Sequence, residues 1–230
     1  MISFIVPAHD EAALIGDSLD ALHAAATAMS LSYEVIVVDD ASTDDTAALA
    51  QLRGARVLHV AYRQIAAVRN AGGAGARGER LIFVDADTRI DRDVLAAAMA
   101  ALDRGAAGGG CAVRFAGATW SERAFTALVM RIFRWTRIAP GCFIFCTREA
   151  FDAAGGFDER WFAGEDVAIS RALAAVGQFE ILRESVTTSD RKLRTFGWIS
   201  HLRLFAQFIR KGRGLLHSRE HLGIWYDKRR

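Results

Sequence analysis

A chain of 230 residues, 52% of them hydrophobic and only two of them proline, can bury one large core, and no Pro-rich linker divides it. The formal net charge of +2 argues neither for nor against nucleic acid, but it is unevenly spread: Arg183 to Arg230 carries 12 Lys+Arg and 4 Asp+Glu, leaving 17 and 23 for the rest. An acidic body with a basic tail suits a metal site and an anionic surface partner.

Cys111, Cys142 and Cys146 are odd in number, fit no zinc spacing and lie among apolar residues, as core thiols of a reducing compartment do. The opening Met-Ile-Ser-Phe-Ile-Val-Pro meets Asp10-Glu11 without a basic n-region, so no signal peptide is expected. No uncharged apolar stretch approaches the roughly 20 residues needed to span a bilayer. No solenoid-length repeat is visible.

In chain order, Ile2 to Val6 is a short apolar run ended by Pro7 and reads as a buried strand. Glu11 to Ala28 reads as a helix and Glu34 to Val38 as a β-branched strand. Ser42-Thr-Asp-Asp45 looks like a helix start with Ser42 as N-cap. Arg56 to Val60 is a third strand, Gln64 to Ala76 a helix, Arg80 to Val84 a fourth strand, and Val94 to Leu102 lies in a helix. This alternation predicts a parallel α/β sheet, whose ligands bind at the carboxyl ends of the strands. Beyond Gly105, Cys111 to Phe115 and Cys142 to Cys146 read as strands with a helix from Trp120 to Ile138 between them. Asp166 to Val176 reads as a helix, Phe179 to Leu182 as a strand, and Phe196 onward as helical.

The chemistry gathers at element ends. Asp85-Ala-Asp87 closes a strand, and two carboxylates on alternate residues can both reach one hard divalent cation. Alone, such a pair is more often a solvated turn. Here Pro7 and Asp39-Asp40 also fall at carboxyl ends, and Glu165-Asp166 opens a late helix. Gly73-Ala-Gly75-Ala-Arg-Gly78 matches the dinucleotide glycine pattern but follows a helix and precedes a strand, the reverse of that motif's order. It reads instead as a helix exit with a left-handed glycine.

Ile5-Val-Pro-Ala-His-Asp-Glu11, Val37-Val-Asp-Asp-Ala-Ser-Thr-Asp44, Arg69-Asn-Ala-Gly72, Phe83-Val-Asp-Ala-Asp87, Gly155-Gly-Phe-Asp158 and Gly164-Glu-Asp166 together resemble the glycosyltransferase family 2 proteins of the GT-A fold. They occur in the family's order over about Met1 to Leu182; Asp10 stands where the family usually has Asn, and either side chain can fix a turn. The resemblance implies a Rossmann-like, mostly parallel central sheet flanked by helices, over residues 1–190; the residues beyond, 191–230, read by their own pattern as a basic, aromatic helical extension. It also implies a nucleotide-diphospho-sugar donor (UDP favoured), Mn2+ or Mg2+, inversion at the anomeric carbon, and a glycan or lipid-linked acceptor in cell-envelope synthesis.

By that match Asp40 would bind the base, Glu11 and Pro7 would shape the nucleotide pocket, and Arg69 would face the diphosphate or stabilise an acidic neighbour. Their bland counterparts are strand-end solubility, a helix first-turn acid and a surface arginine. Asp87 is the metal-ligand candidate, with Asp85 binding metal through water or the donor's ribose. Asp166 is the candidate base for the acceptor hydroxyl, worth about 10²–10⁴-fold in rate, against a plain helix-capping role. Glu165 is the lesser candidate. Arg191 and Arg194 would close over the diphosphate. A lone His201 is more often structural than a third metal ligand.

On a helical wheel, Phe125, Leu128, Val129 and Ile132 share one side, with Arg123, Arg131, Arg134 and Arg137 on another. The ordinary reading is an amphipathic helix with its apolar face inward; the sharper one is docking to anionic lipid. With the basic tail, peripheral contact with the inner face of a membrane by a cytoplasmic protein becomes an even expectation. No nucleic-acid partner is expected. Two alternatives compete: a nucleotidyltransferase, for which Pro7-Ala-His-Asp-Glu11 lacks the Gly-rich basic phosphate loop, and a sugar-nucleotide-binding protein without turnover, which needs no placed base.

Overall fold

Side chains that alternate along a strand reach opposite faces of a sheet, and in this protein both faces are covered. Strands β1 (Ile2–Ala8), β2 (Tyr33–Asp40) and β4 (Arg80–Val84) send Phe4, Val6, Val35, Val37, Ile82 and Val84 to one core. Helices α1 (Ile15–Ala28) and α4 (Arg92–Asp103) pack there through Leu19, Leu22, Val94 and Leu95. The intervening Ile5, Ile36, Val38, Leu81 and Phe83 form a second core. Helices α3 (Ile65–Gly75), α6 (Arg148–Ala153) and α7 (Glu165–Val176) meet it through Val68, Phe151, Ile169 and Leu173. Burial on both faces is why these strands read as continuous apolar runs.

The computed structural model describes residues 1–117, 119–161 and 163–189. The expected helical extension, Arg191, Arg194 and His201 lie outside the described residues. The remaining elements are β3 (Arg56–Val60), β5 (Thr88–Arg89), β6 (Gly108–Phe115), β7 (Phe143–Thr147), β8 (Phe179–Thr188), α2 (Thr46–Leu52) and α5 (Trp120–Thr136). All strands join one sheet in the order β3-β2-β1-β4-β7-β6-β8-β5. The first four are parallel; β7 is antiparallel to both β4 and β6, and β8 runs parallel to β6.

Chain order reverses at β1: β2 and β3 lie to one side and β4 to the other. β1 pairs with β2 as far as Ala8 but with β4 only to Ile5. Pro7, which has no N–H to donate, thus sits beyond the last β1–β4 pair, and a crevice opens there at the carboxyl ends, the usual ligand position in such sheets.

Several sequence expectations need correction. The first helix starts at Ile15, not Glu11, because the Glu11 carbonyl first closes a turn with the N–H groups of Leu14 and Ile15. Ser42 is not a helix N-cap: Asp45 holds that position, and the Ser42 hydroxyl accepts the N–H of Asp10. The glycine-rich stretch ends in Ala76 with extended backbone, so no glycine turns left-handed there. β8 runs to Thr188, well past Leu182, because pairing with β6 breaks register after Ile181 and resumes from Ser185 to Thr188. β5 and α6 were not expected.

The face of α5 is also reassigned. Val129, Met130 and Phe133 are half-buried, with Met130 against the first core, whereas Leu128 and Ile132 are exposed. The side chain of Phe125 lies outside what the structure describes.

Candidate active site

The residues expected to bind a nucleotide surround the ends of β1 and β2. Asp40 is buried, and its Oδ1 accepts the backbone N–H groups of Tyr62 at 2.7 Å and Arg63 at 3.0 Å. The loop after β3 is therefore anchored on this carboxylate, whose Oδ2 makes no hydrogen bond among the described residues. Strand-end solubility does not describe a buried group with these bonds. Asp10 adopts φ +52°, a conformation that Asp and Asn tolerate, and accepts the N–H of Thr43 at 2.7 Å. That pins the loop after β2 against the end of β1. Glu11 is buried at the same end, and its N–H donates to Thr46 Oγ1 at 2.8 Å. Arg63, which the sequence did not single out, donates through Nη2 to the carbonyl of Ala41 and lies 2.6 Å from His9 Nε2.

Arg69 is the hub on the other side of the crevice. At 2% exposure it is no surface arginine. Its Nη1 donates to Glu165 at 2.9 Å; its Nη2 donates to Asp85 and to the Gly141 carbonyl, both at 2.8 Å. The guanidinium also lies 5.2 Å from the centre of the Phe157 ring. Arg69 thus pairs with acidic neighbours through Nη1 and Nη2, while its buried Nε has no hydrogen-bond partner among the described residues. Burial opposes the charge on Arg69, but Asp85 and Glu165 overcome it and hold its pKa above the ordinary value.

The sequence motifs explain this hub. A Cβ on Gly72 would fall 2.3 Å from Ile5 Cγ2, so glycine lets α3 press onto β1 and hold Arg69 beneath the crevice. Asn70 Oδ1 accepts the Phe157 N–H and its Nδ2 donates to the Phe157 carbonyl, each at 2.8 Å, which positions the ring over Arg69. Phe157 packs edge-on to Phe83, two residues before Asp85. Gly164, at φ +80°, turns the chain so that α7 begins with Glu165 facing Arg69.

Asp166 stands at the start of α7, its Oδ1 accepting from Val167 N–H at 2.8 Å and its Oδ2 from Gly141 N–H at 3.2 Å. Gly164 holds the N-cap position, so Asp166 is a first-turn acid whose carboxyl accepts one N–H of the helix and one of Gly141. Burial pushes it up to about 7, Glu165 adds to the rise, and Arg69 with the two N–H groups opposes it. Gly141 escaped the sequence reading; its neighbour Pro140, one of two prolines, was the available signal.

Asp87 is set apart from this hub. Ser189 Oγ donates to its Oδ2 at 2.8 Å and Thr188 Oγ1 to its Oδ1 at 3.3 Å, with Thr88 Oγ1 donating to Thr188 Oγ1 at 3.0 Å. These hydroxyls were missed because β8 extends further than its apolar pattern. For a metal, the available donors are hard carboxylate and hydroxyl oxygens, which suit Mg2+ or Mn2+. Among the described residues no three His, Cys, Asp or Glu side chains form a ready cage.

The TarS fragment 1–349 of S. aureus, solved with UDP-GlcNAc, superposes with TM-score 0.65 at 19% identity, covering 82% of this chain and 58% of that one. The mannosyltransferase PcManGT of Pyrobaculum calidifontis, with GDP-Man and Mn2+, gives TM-score 0.67 at 22% identity, covering 92% and 65%. Glucosyl-3-phosphoglycerate synthase of Mycobacterium tuberculosis, with Mn2+, UDP and glucosyl-3-phosphoglycerate, gives 0.62 at 20%, covering 92% and 80%. A curated relative, the undecaprenyl-phosphate 4-deoxy-4-formamido-L-arabinose transferase of Pseudomonas paraeruginosa, is 32% identical over 95 residues, 38% of this chain. The chain spans 28% of that relative and less than two thirds of the first two structures. The fold is thus GT-A, and with residues 3–155 matching the family described as Glycosyl transferase family 2, the chain belongs to that family.

Proposed function

We propose that this protein is an inverting, metal-dependent glycosyltransferase that moves a sugar from a UDP-sugar to an acceptor hydroxyl in cell-envelope glycan or glycolipid synthesis. The observation that carries the reading is Arg69 binding Asp85 and Glu165 together beside Asp166, at the crevice where β1 and β4 part. In this reading the free oxygen of Asp40 accepts from the base, while Pro7 and Glu11 wall the nucleotide. Asp87 and Asp85 hold the divalent cation, whose contribution when bound is to neutralise charge on the leaving diphosphate. Arg69 keeps Asp85 aimed through its Nη2 hydrogen bond. Asp166, with a pKa raised to about 7, takes the acceptor proton as the oxygen attacks. Complexes of three structural neighbours with UDP-GlcNAc, GDP-Man and UDP support a nucleotide-sugar donor, and two of them contain Mn2+.

Release of UDP from UDP-hexoses with Mn2+ and an acceptor extract tests the reading. Asp166→Asn is expected to abolish transfer while UDP binding persists. Transfer surviving that change would remove Asp166 as base and point to an acceptor already ionised, such as the phosphate in the relative's name. Binding without turnover in the unmodified protein would favour a non-catalytic sugar-nucleotide binder.

A further inference from the structure

We infer that the outward face of α5 docks on an anionic lipid bilayer. Four of the large hydrophobic side chains exposed among the described residues belong to this one helix: Trp120 at 84%, Leu128 at 57%, Ile132 at 51% and Trp135 at 86%. At 100° per residue they share one arc of the helix, opposite the half-buried Val129, Met130 and Phe133. Arg131 lies within that arc, exposed Arg123 and Arg134 line one edge of it, and the helix has a single acid, Glu122. Trp120 and Trp135 mark its two ends, roughly 22 Å apart at about 1.5 Å per residue.

An apolar stripe bearing tryptophans and bordered by arginines matches an interface of acyl chains and anionic headgroups. No described helix is long and apolar enough to cross a membrane, so the match is to its surface. The chain leaving α5 also builds the base pocket. Ala139 N–H donates to Ser170 Oγ at 3.0 Å, and Gly141 holds both Asp166 and Arg69. A docked α5 would therefore bring Asp166 close to an acceptor carried in the bilayer. The docking itself does not rest on the transferase reading.

The test is co-sedimentation of the full chain with phosphatidylcholine vesicles, with or without phosphatidylglycerol, with light scattering of the free protein and its thermal midpoint as controls. The full chain is expected to bind the phosphatidylglycerol vesicles in a salt-sensitive way. Arg131→Gln should weaken binding about fivefold, and Trp120→Ala with Trp135→Ala about tenfold or more, with the midpoint unchanged because these groups are already in water. Variants that bind like the unmodified chain would assign any membrane contact to other residues and overturn the inference. So would an absence of binding to either vesicle, or a dimer that the tryptophan changes split into monomers.

Discussion

Asp85 Oδ1 receives Arg69 Nη2 at 2.8 Å from the first turns of a helix that ends before the Asp85 strand begins. The contact joins two motifs that only folding brings together, and the same guanidinium continues to Glu165, 96 residues further along. Removing one partner from a buried ionic cluster leaves the others uncompensated. Arg69→Met should thus cost about 3–5 kcal/mol and lower the midpoint by roughly 6–20 °C in a thermal melt. Arg69→Lys should lose part of that, since one ammonium cannot span both carboxylates. Asp85→Asn should cost less in the Arg69→Met background than alone, as expected for coupled sites.

The raised Asp166 pKa gives two opposite pH dependences. As a base it acts when ionised, so transfer should climb about tenfold per pH unit below pH 7 and level off above it. For stability the sign reverses. The folded carboxyl holds its proton more tightly than the unfolded one, so its contribution is fully present below the ordinary carboxylate range. It is lost as pH rises through about 7. Melts from pH 4 to 8 should show that decline in the unmodified chain and lose it in Asp166→Asn.

Asp40 uses one oxygen for the loop after β3 and presents the other. Asp40→Asn can keep the first role and lose the charge-assisted acceptor, worth about 1.5–3 kcal/mol. UDP affinity by calorimetry should fall about tenfold or more, with little change in the ligand-free melt. UDP with Mn2+ at 100 times its dissociation constant should add about 2.7 kcal/mol of stability, and Asp87→Asn should remove the manganese-dependent part.

Gly72 is a packing requirement. With a Cβ forced to 2.3 Å from Ile5 and 2.9 Å from Val38, Gly72→Ala should cost about 1–3 kcal/mol in denaturant unfolding. Donor binding should weaken with it, because α3 carries Arg69.

Local pattern determined a good deal of this protein. β3 and β4 have the boundaries their apolar runs indicate, and the strand–helix alternation of the first half holds. The carboxylates at strand ends were legible because a strand's end is a local event, marked where an apolar run stops. Tertiary structure alone decided what depends on distant partners. Ser42 looks like a cap until Asp10 claims its hydroxyl. The polar end of β8, with the Thr188 and Ser189 hydroxyls that hold Asp87, exists because β6 supplies a ladder. On α5, the residues the wheel would turn inward include Leu128 and Ile132, and the fold leaves both in water. Periodicity shows that a helix has two faces; what packs against it selects the buried one. Arg69 is the plainest case: a cation on a helix reads as surface until two carboxylates and an aromatic ring, each from another part of the chain, close around it.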